Sequence, residues 1–193
     1  MLDMNTVKLG FIGYGNMAGA TAAGLMLSGA IKPQQIYACA KDYRKLCGKA
    51  EVQGINAFET ALQVSEICDV IFIGLKPYMV EDVMSPIKDA LKGKVVISLA
   101  TNTYCDTLMR IMPDAHCVAT APNTPVSVCE GIFICEEENT LTDDEKQFVQ
   151  KLLENLGLFL WLDKEHMGIA GVIAGCSPAF VSMFMEALGD AGC

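Results

Sequence analysis

The feature that most constrains this chain is a glycine loop near its N-terminus. A short apolar strand candidate, residues 7–12, leads directly into Gly13-Tyr14-Gly15-Asn16-Met17-Ala18, and a helix candidate follows over residues 17–28. In such a loop the first glycine permits a tight turn, and the second leaves the backbone open to a pyrophosphate. The small residue at the third position lets helix and strand pack closely, while free amides at the helix start point at phosphate. The loop predicts a dinucleotide site.

The remaining sequence alternates apolar strand candidates with helix-length segments. This alternation predicts an α/β fold with a Rossmann-type, doubly wound, mostly parallel sheet covered by helices on both faces. Near residue 163 the strand-like segment 158–162 gives way to helical periodicity. We therefore expect an NAD(P)-binding domain over residues 1–163 and the start of a C-terminal all-helical domain over residues 164–193. The other strand candidates are 35–39, 69–75, 94–99 and 116–121, and the other helix candidates are 42–52, 59–67, 80–91, 104–111 and 142–156.

Two long uncharged stretches, residues 10–31 and 167–185, are long enough to raise the question of a membrane span. The first is rich in glycine, and the second is interrupted by Pro178, which predicts a buried pair of helices rather than a span. The segment after Pro178 carries a wide apolar stripe that requires a partner. That partner is either the rest of a second domain or another copy of the chain; alternatively, the helix packs back on its own sheet.

Charge and cysteine usage exclude several classes of function. Fourteen basic and 23 acidic residues give a net charge of −9, and no basic run exists, so we expect no nucleic-acid partner. Nine cysteines, an odd number without a Cys-x-x-Cys pair, are typical of free thiols in a reducing compartment. With only two histidines in the chain, no metal site is expected. In the absence of a convincing targeting segment, the sequence predicts a cytoplasmic protein without a membrane partner.

The end of the second strand candidate bears on the choice of nicotinamide cofactor. A site selective for NAD usually places an acidic residue about 20 residues beyond the glycine loop. Here Ala40 and Lys41 occupy that region, with Arg44 nearby, and cations favour the 2′-phosphate of NADP. Asp42 leaves NAD possible. An equally open interpretation is that Lys41 and Arg44 merely lie on a solvated face of a helix.

Three later loops are predicted to lie at the same edge of the sheet, where open parallel sheets bind ligands. They are Leu75-Lys76-Pro77, Ala100-Thr101 and Asn123-Thr124, the last held between two prolines. No general acid stands out, so the catalytic residues are unassigned. The predicted cofactor-binding residues are Gly13, Gly15, Asn16, Met17, Ala18, Ala40, Lys41, Leu75, Lys76, Pro77, Ala100, Thr101, Asn123 and Thr124.

Taken together, these motifs resemble the pyrroline-5-carboxylate reductase family along essentially the whole chain. The matching segments are Gly10-Phe11-Ile12-Gly13-x-Gly15-Asn16-Met17-Ala18, Lys76-Pro77, Pro122-Asn123-Thr124-Pro125, Glu130-Gly131, Ala174-Gly175-x-x-Pro178-Ala179-Phe180 and Glu186-Ala187-Leu188-x-Asp190-Ala191-Gly192.

The resemblance implies an NADPH-dependent reductase that converts 1-pyrroline-5-carboxylate into proline. It further implies a homodimer or higher homo-oligomer, built by C-terminal helices that continue beyond this length and help to bind the substrate. We therefore expect these 193 residues alone to bind NADPH with little turnover. Two alternatives stay open: another Rossmann reductase of the β-hydroxyacid or F420-linked type, and a dinucleotide-binding paralogue without activity.

Overall fold

A computed structural model describes residues 2–192. Strands and helices alternate for most of the chain, as the apolar pattern predicts. The strands are β1 (Leu9–Ile12), β2 (Ile36–Cys39), β3 (Asn56–Phe58), β4 (Val70–Ile73), β5 (Val95–Ser98), β6 (His116–Pro122), β7 (Gly131–Glu136) and β8 (Gly157–Leu162). The helices are α1 (Asn16–Leu27), α2 (Tyr43–Gln53), α3 (Ala61–Ile67), α4 (Pro77–Met84), α5 (Cys105–Ile111), α6 (Asp143–Leu153) and α7 (Lys164–Ala191). Short 3-10 helices cover Pro33–Gln35, Ser85–Leu91, Thr124–Val128 and Glu154–Leu156.

All eight strands form one sheet in the order β3-β2-β1-β4-β5-β6-β7-β8. The first six pair in parallel, β7 runs antiparallel to β6, and β8 is parallel to β7. The strand order reverses between β1 and β4, and this is the topological switch point at which doubly wound sheets bind ligands. The predicted Rossmann-type, mostly parallel fold is confirmed.

The core lies on both faces of the sheet, which is why the central strands are almost entirely apolar. On one face Phe11 and Phe72 stack with ring centroids 4.7 Å apart, and helices α1 and α6 cover them. On the other face Ile71, Val96 and Leu108 belong to a second buried cluster under α3, α4 and α5. Burial on both faces fixes the sheet, and through it the loops at its carboxyl edge.

Two strands were missing from the sequence prediction. The edge strand β3 has three residues, all half-buried, so it carries neither an apolar run nor an alternating pattern. No strand was predicted at β7, where Glu130-Gly131 appeared only as a segment that matches the family, yet β7 is buried along most of its length. It joins the sheet through antiparallel pairing with β6, a long-range contact that no local pattern announces.

The predicted pair of buried helices at the C-terminus is wrong. A single helix, α7, continues through Pro178 for 28 residues and is largely exposed. Its most apolar 18 residues have a mean hydropathy of 1.7 and only 11% are buried, so by length and composition it resembles a membrane-spanning helix. Its first half nevertheless packs against β6 and β7.

A half-buried cation closes the C-terminal end of α3. The Lys94 ammonium, at the start of β5, donates to the carbonyl oxygens of Ser65 and Cys68, the latter at 2.9 Å. These carbonyls have no N–H partner within the helix because α3 ends at Ile67. A cation also interacts favourably with the negative end of the helix dipole. Lys94 therefore ties the end of α3 to the centre of the sheet.

Candidate functional site

A cleft of about 740 Å³ opens at the carboxyl edge of the sheet, between that edge and α7. Its floor is formed by loops that follow β1, β4, β5 and β6, and one side is formed by α7. The lining residues are Gly15, Asn16, Met17, Gly74, Leu75, Lys76, Pro77, Leu99, Ala100, Thr101, Asn102, Thr103, Tyr104, Ala119, Thr120, Ala121, Pro122, Thr124, Met167, Gly168, Gly171, Val172, Gly175 and Cys176. We call this space the nucleotide cleft.

The glycine loop has the geometry that a pyrophosphate requires. Gly13 has φ = +88°, a conformation that side chains disfavour, and a Cβ there would come within 2.8 Å of the Gly74 carbonyl oxygen. At Gly15 a Cβ would meet no atom within 4 Å, so the space above the backbone is open to a ligand. Helix α1 begins at Asn16 without a side-chain cap and without an acidic residue in its first turn. Its first amides are therefore available to an anion.

The loop after β5 forms the next part of the floor. The Thr120 hydroxyl donates to the Ser98 carbonyl oxygen at 2.7 Å, which holds the end of β5 against β6. Beyond it, Tyr104 lines the cleft, and the Lys164 ammonium lies 5.3 Å from the centre of its ring. Lys164 also forms an ion pair of 2.7 Å with Asp106, which lowers the pKa of that carboxyl and raises the pKa of the lysine. This pair links the start of α7 to the start of α5.

Three of the six α7 residues that line the cleft are glycines. Gly168, Gly171 and Gly175 recur at intervals of three and four residues, so they share one face of the helix. A Cβ at Gly171 would lie 3.7 Å from the Ala121 Cβ, and a Cβ at Gly175 would meet nothing within 4 Å. Because these three positions carry no side chain, α7 leaves room beside them for a flat ring between itself and the sheet.

Among residues 2–192, those that line the cleft include no carboxylate and no histidine. Its titratable side chains are Lys76, Tyr104 and Cys176. The other lining residues are small, apolar, hydroxyl-bearing or, at Asn16 and Asn102, amide-bearing. Such a site favours binding and orientation of reactants over acid–base chemistry by a paired carboxylate.

Most of the residues predicted from sequence do line the nucleotide cleft. These are Gly15, Asn16, Met17, Leu75, Lys76, Pro77, Ala100, Thr101 and Thr124. Gly13 and Ala18 lie beneath the loop, where Ala18 is buried at the close approach between Gly13 and Gly74. Asn123 does not line the cleft: it is 7% exposed, and its side chain bonds to backbone groups of β7 and α7.

Ala40 and Lys41 lie outside the cleft, just after β2, with Ala40 half-buried and Lys41 exposed. The same segment contains Asp42, whose carboxylate caps α2 by accepting from the Lys45 amide at 3.0 Å. Within the described chain, Lys41 and Arg44 make no ion pair with an acidic side chain. Two cations are therefore available at this position, whereas the one nearby acid already has a structural role.

Sequence reasoning missed the contribution of α7 to the cleft. Residues such as Gly171, Gly175 and Cys176 carry no charge and no obvious ligand-binding group. The regular spacing of Gly168, Gly171 and Gly175 was the one local signal that pointed to a helix face needed for close approach.

Comparisons with known proteins show which family the chain resembles. Residues 8–102 match the family model described as NADP oxidoreductase coenzyme F420-dependent. A pyrroline-5-carboxylate reductase from Treponema pallidum is 35% identical over 96% of this chain and 72% of its own length. The Escherichia coli pyrroline-5-carboxylate reductase is 33% identical over 95% of this chain and 69% of its own.

A solved structure extends the likeness to three dimensions. It is that of Plasmodium falciparum pyrroline carboxylate reductase with NADP bound, which superposes with a TM-score of 0.88 at 29% identity. The superposition covers 98% of this chain and 70% of that one.

Proposed function

The chain belongs to the pyrroline-5-carboxylate reductase family, and from that premise we propose how its nucleotide cleft performs the reaction. The protein is an NADP-dependent oxidoreductase that reduces the C=N bond of 1-pyrroline-5-carboxylate to give proline. The observation that carries the proposal is the cleft at the switch point of the sheet, with an open glycine loop at one end and a glycine-faced helix along one side.

Each part of the cleft has a separate task. The amides at the start of α1 and the open backbone at Gly15 bind the pyrophosphate of the cofactor. Thr101 and Thr124 line the cleft beyond the carboxyl ends of β5 and β6, and there we place the nicotinamide. NADPH, when bound there, would supply a hydride for the ring carbon of the C=N bond, while the ring nitrogen takes up a proton. The apolar lining and α7 exclude water from the ring, and the protein contributes mainly through position.

The preference for NADP over NAD is assigned to the segment after β2. Lys41 and Arg44 are free to bind the 2′-phosphate, and a guanidinium is well suited to a bidentate contact with phosphate. Asp42 is held in the cap of α2, and its single negative charge is outnumbered by these two cations. This arrangement supports NADPH as the working cofactor.

We also propose that the protein acts as a homo-oligomer in the cytoplasm. The apolar surface of α7 supports oligomerisation, because helices that expose so many large side chains are usually covered. The free state of the eight cysteines among residues 2–192 supports a reducing compartment.

The decisive experiment follows NADPH absorbance when the full-length protein is mixed with 1-pyrroline-5-carboxylate, and identifies proline by mass spectrometry. A 3-hydroxyacid with NADP is the control for a β-hydroxyacid dehydrogenase. Turnover of the hydroxyacid alone would refute the proposal, and tight NADPH binding without turnover of either would indicate a binding module. The same assay on these 193 residues tests the expectation of little turnover, which stays a prediction.

A matched pair of glycine variants connects the activity to the cleft. In Gly15→Val the new side chain fills the space above the loop, so NADPH affinity is expected to fall at least about tenfold. Gly19→Ala is the control, because a Cβ at Gly19 also meets no atom within 4 Å but lies outside the cleft. Equal affinity in both variants would place the pyrophosphate elsewhere.

A further inference from the structure

The side chain of Asn123 is buried and bonded at both ends to backbone groups. Its Oδ1 accepts from the Ile132 amide at 2.8 Å, and its Nδ2 donates to the Ala174 carbonyl oxygen at 3.0 Å. The backbone N–H of Asn123 also donates to the Ile132 carbonyl at 3.2 Å. Because an N–H can only donate and a carbonyl can only accept, the amide has a single satisfied orientation.

The Ala174 carbonyl is available because of a proline. In an α-helix the carbonyl of residue 174 accepts from the N–H of residue 178, and here residue 178 is proline, which has none. Ala174 is only 5% exposed, so water does not readily replace the missing donor. A buried carbonyl without a partner is costly. The Asn123 amide therefore supplies the hydrogen bond that Pro178 removes from α7.

This hydrogen bond joins two sides of the nucleotide cleft. Asn123 lies between Pro122 and Thr124, which both line the cleft on the sheet side. Ala174 lies beside Gly175 and Cys176, which line it from α7. A direct bond between the two segments fixes the distance across the end of the cleft assigned to the nicotinamide.

We propose that Asn123 and Pro178 form a clamp that sets the position of α7 over the nicotinamide end of the cleft. Asn123 is thus a positioning residue: it acts through the Ala174 carbonyl and does not contact the cofactor. The proline provides a free carbonyl at one defined point of the helix, and the asparagine binds it there. The catalytic consequence of the clamp rests on the proposed reductase function, whereas the clamp itself does not.

The test is a double-mutant cycle in the full-length protein. Asn123→Leu keeps the size of the side chain but removes both hydrogen bonds. Pro178→Ala restores the helical N–H, so that the Ala174 carbonyl no longer needs the asparagine. The three variants are compared with the wild type by thermal midpoint, by NADPH affinity, and by kcat and KM for 1-pyrroline-5-carboxylate.

We expect Asn123→Leu to lower kcat about tenfold while the NADPH affinity stays within about twofold, since the glycine loop is intact. In the double variant the loss of kcat shrinks to about threefold. Asn123→Leu also lowers the thermal midpoint by less when residue 178 is alanine than when it is proline. Recovery is incomplete because the Ile132 amide stays without its partner. Glu186→Gln, at an exposed residue of the same helix, is the control and is expected to match the wild type.

The clamp is overturned if Asn123→Leu lowers the thermal midpoint and kcat equally whether residue 178 is proline or alanine. A loss confined to NADPH affinity would also overturn it. If Asn123→Leu alone fails to fold, a double variant that folds supports the clamp. A double variant that also fails to fold contradicts it. If the wild type fails to reduce the substrate, the reductase function fails, while the midpoints still decide whether the clamp exists.

Discussion

At the scale of single residues, the cations after β2 carry the sharpest prediction. Replacing both Lys41 and Arg44 with alanine removes the charges available to a 2′-phosphate. We expect the dissociation constant for NADPH to rise about 10- to 100-fold and that for NADH to stay nearly unchanged. Calorimetric titration with both nucleotides measures the difference. Lys151→Ala, at an exposed lysine of α6 away from the glycine loop, is the control. A parallel loss for both nucleotides would mean that these residues only support the fold.

A second prediction at this scale concerns Glu136, at the end of β7. Its carboxylate is 2% exposed and accepts from the Cys105 amide at 2.8 Å, and burial raises its pKa above the usual value. A carboxyl with a raised folded-state pKa binds its proton more tightly when folded. Its favourable contribution is therefore complete below the unfolded pKa and is lost as the pH rises through the folded pKa.

Glu136→Gln tests the direction in which the contribution of Glu136 to stability changes with pH. Glutamine keeps an acceptor for the Cys105 amide and cannot ionise, so the variant gains stability relative to the wild type as the pH rises from about 4 to about 8. Urea unfolding of both proteins across this range gives the difference, in which the other titrating groups cancel. Exposed Glu51 provides the control substitution, Glu51→Gln. A difference that is flat or falls with pH would contradict the prediction.

At the scale of elements, the contact between Lys94 and the end of α3 makes a testable contribution to stability. Lys94→Met retains the apolar stem but leaves partly buried carbonyls without their donor. We expect the free energy of unfolding to fall by about 1–3 kcal/mol. Lys92→Met is the matched control: Lys92 is 4.0 Å from Asp114 on the surface, and losing such an exposed pair costs less than about 1 kcal/mol. Denaturant titration separates the two, and equal losses would show that the helix end is adequately solvated.

The elements also show how far sequence reasoning reaches. The unit β1–loop–α1 was predictable because its signals are local: an apolar strand, two glycines and a helix start within ten or so residues. The strand β7 was not, because its place depends on antiparallel pairing with β6. The structural role of Asn123 could not be predicted for a similar reason. A polar residue between two prolines predicts a ligand contact, but its partner is a carbonyl 51 positions away that a proline has freed.

At the scale of the whole molecule, the exposed apolar surface of α7 predicts self-association. Phe180 is 63% exposed and Phe184 is 64% exposed, and they lie one turn apart on the helix. If another copy covers them, changing both to lysine weakens the oligomer by about two orders of magnitude, given the value of burying each aromatic side chain. Light scattering during size-exclusion chromatography of the full-length protein measures this. Val52→Lys, at an apolar residue of α2 that is 87% exposed, is the control. A variant with unchanged mass would assign the surface to another partner.

The pairing of Asn123 with a proline-freed carbonyl has a consequence for how related sequences diverge. A lineage that first exchanges the proline for an ordinary residue regains a normal helix and is then at liberty to change the asparagine. A lineage that changes the asparagine first passes through an intermediate with an unsatisfied peptide group in its interior. Substitutions at these two sites should therefore occur in one order. Related sequences either keep both residues or lost the proline before the asparagine changed.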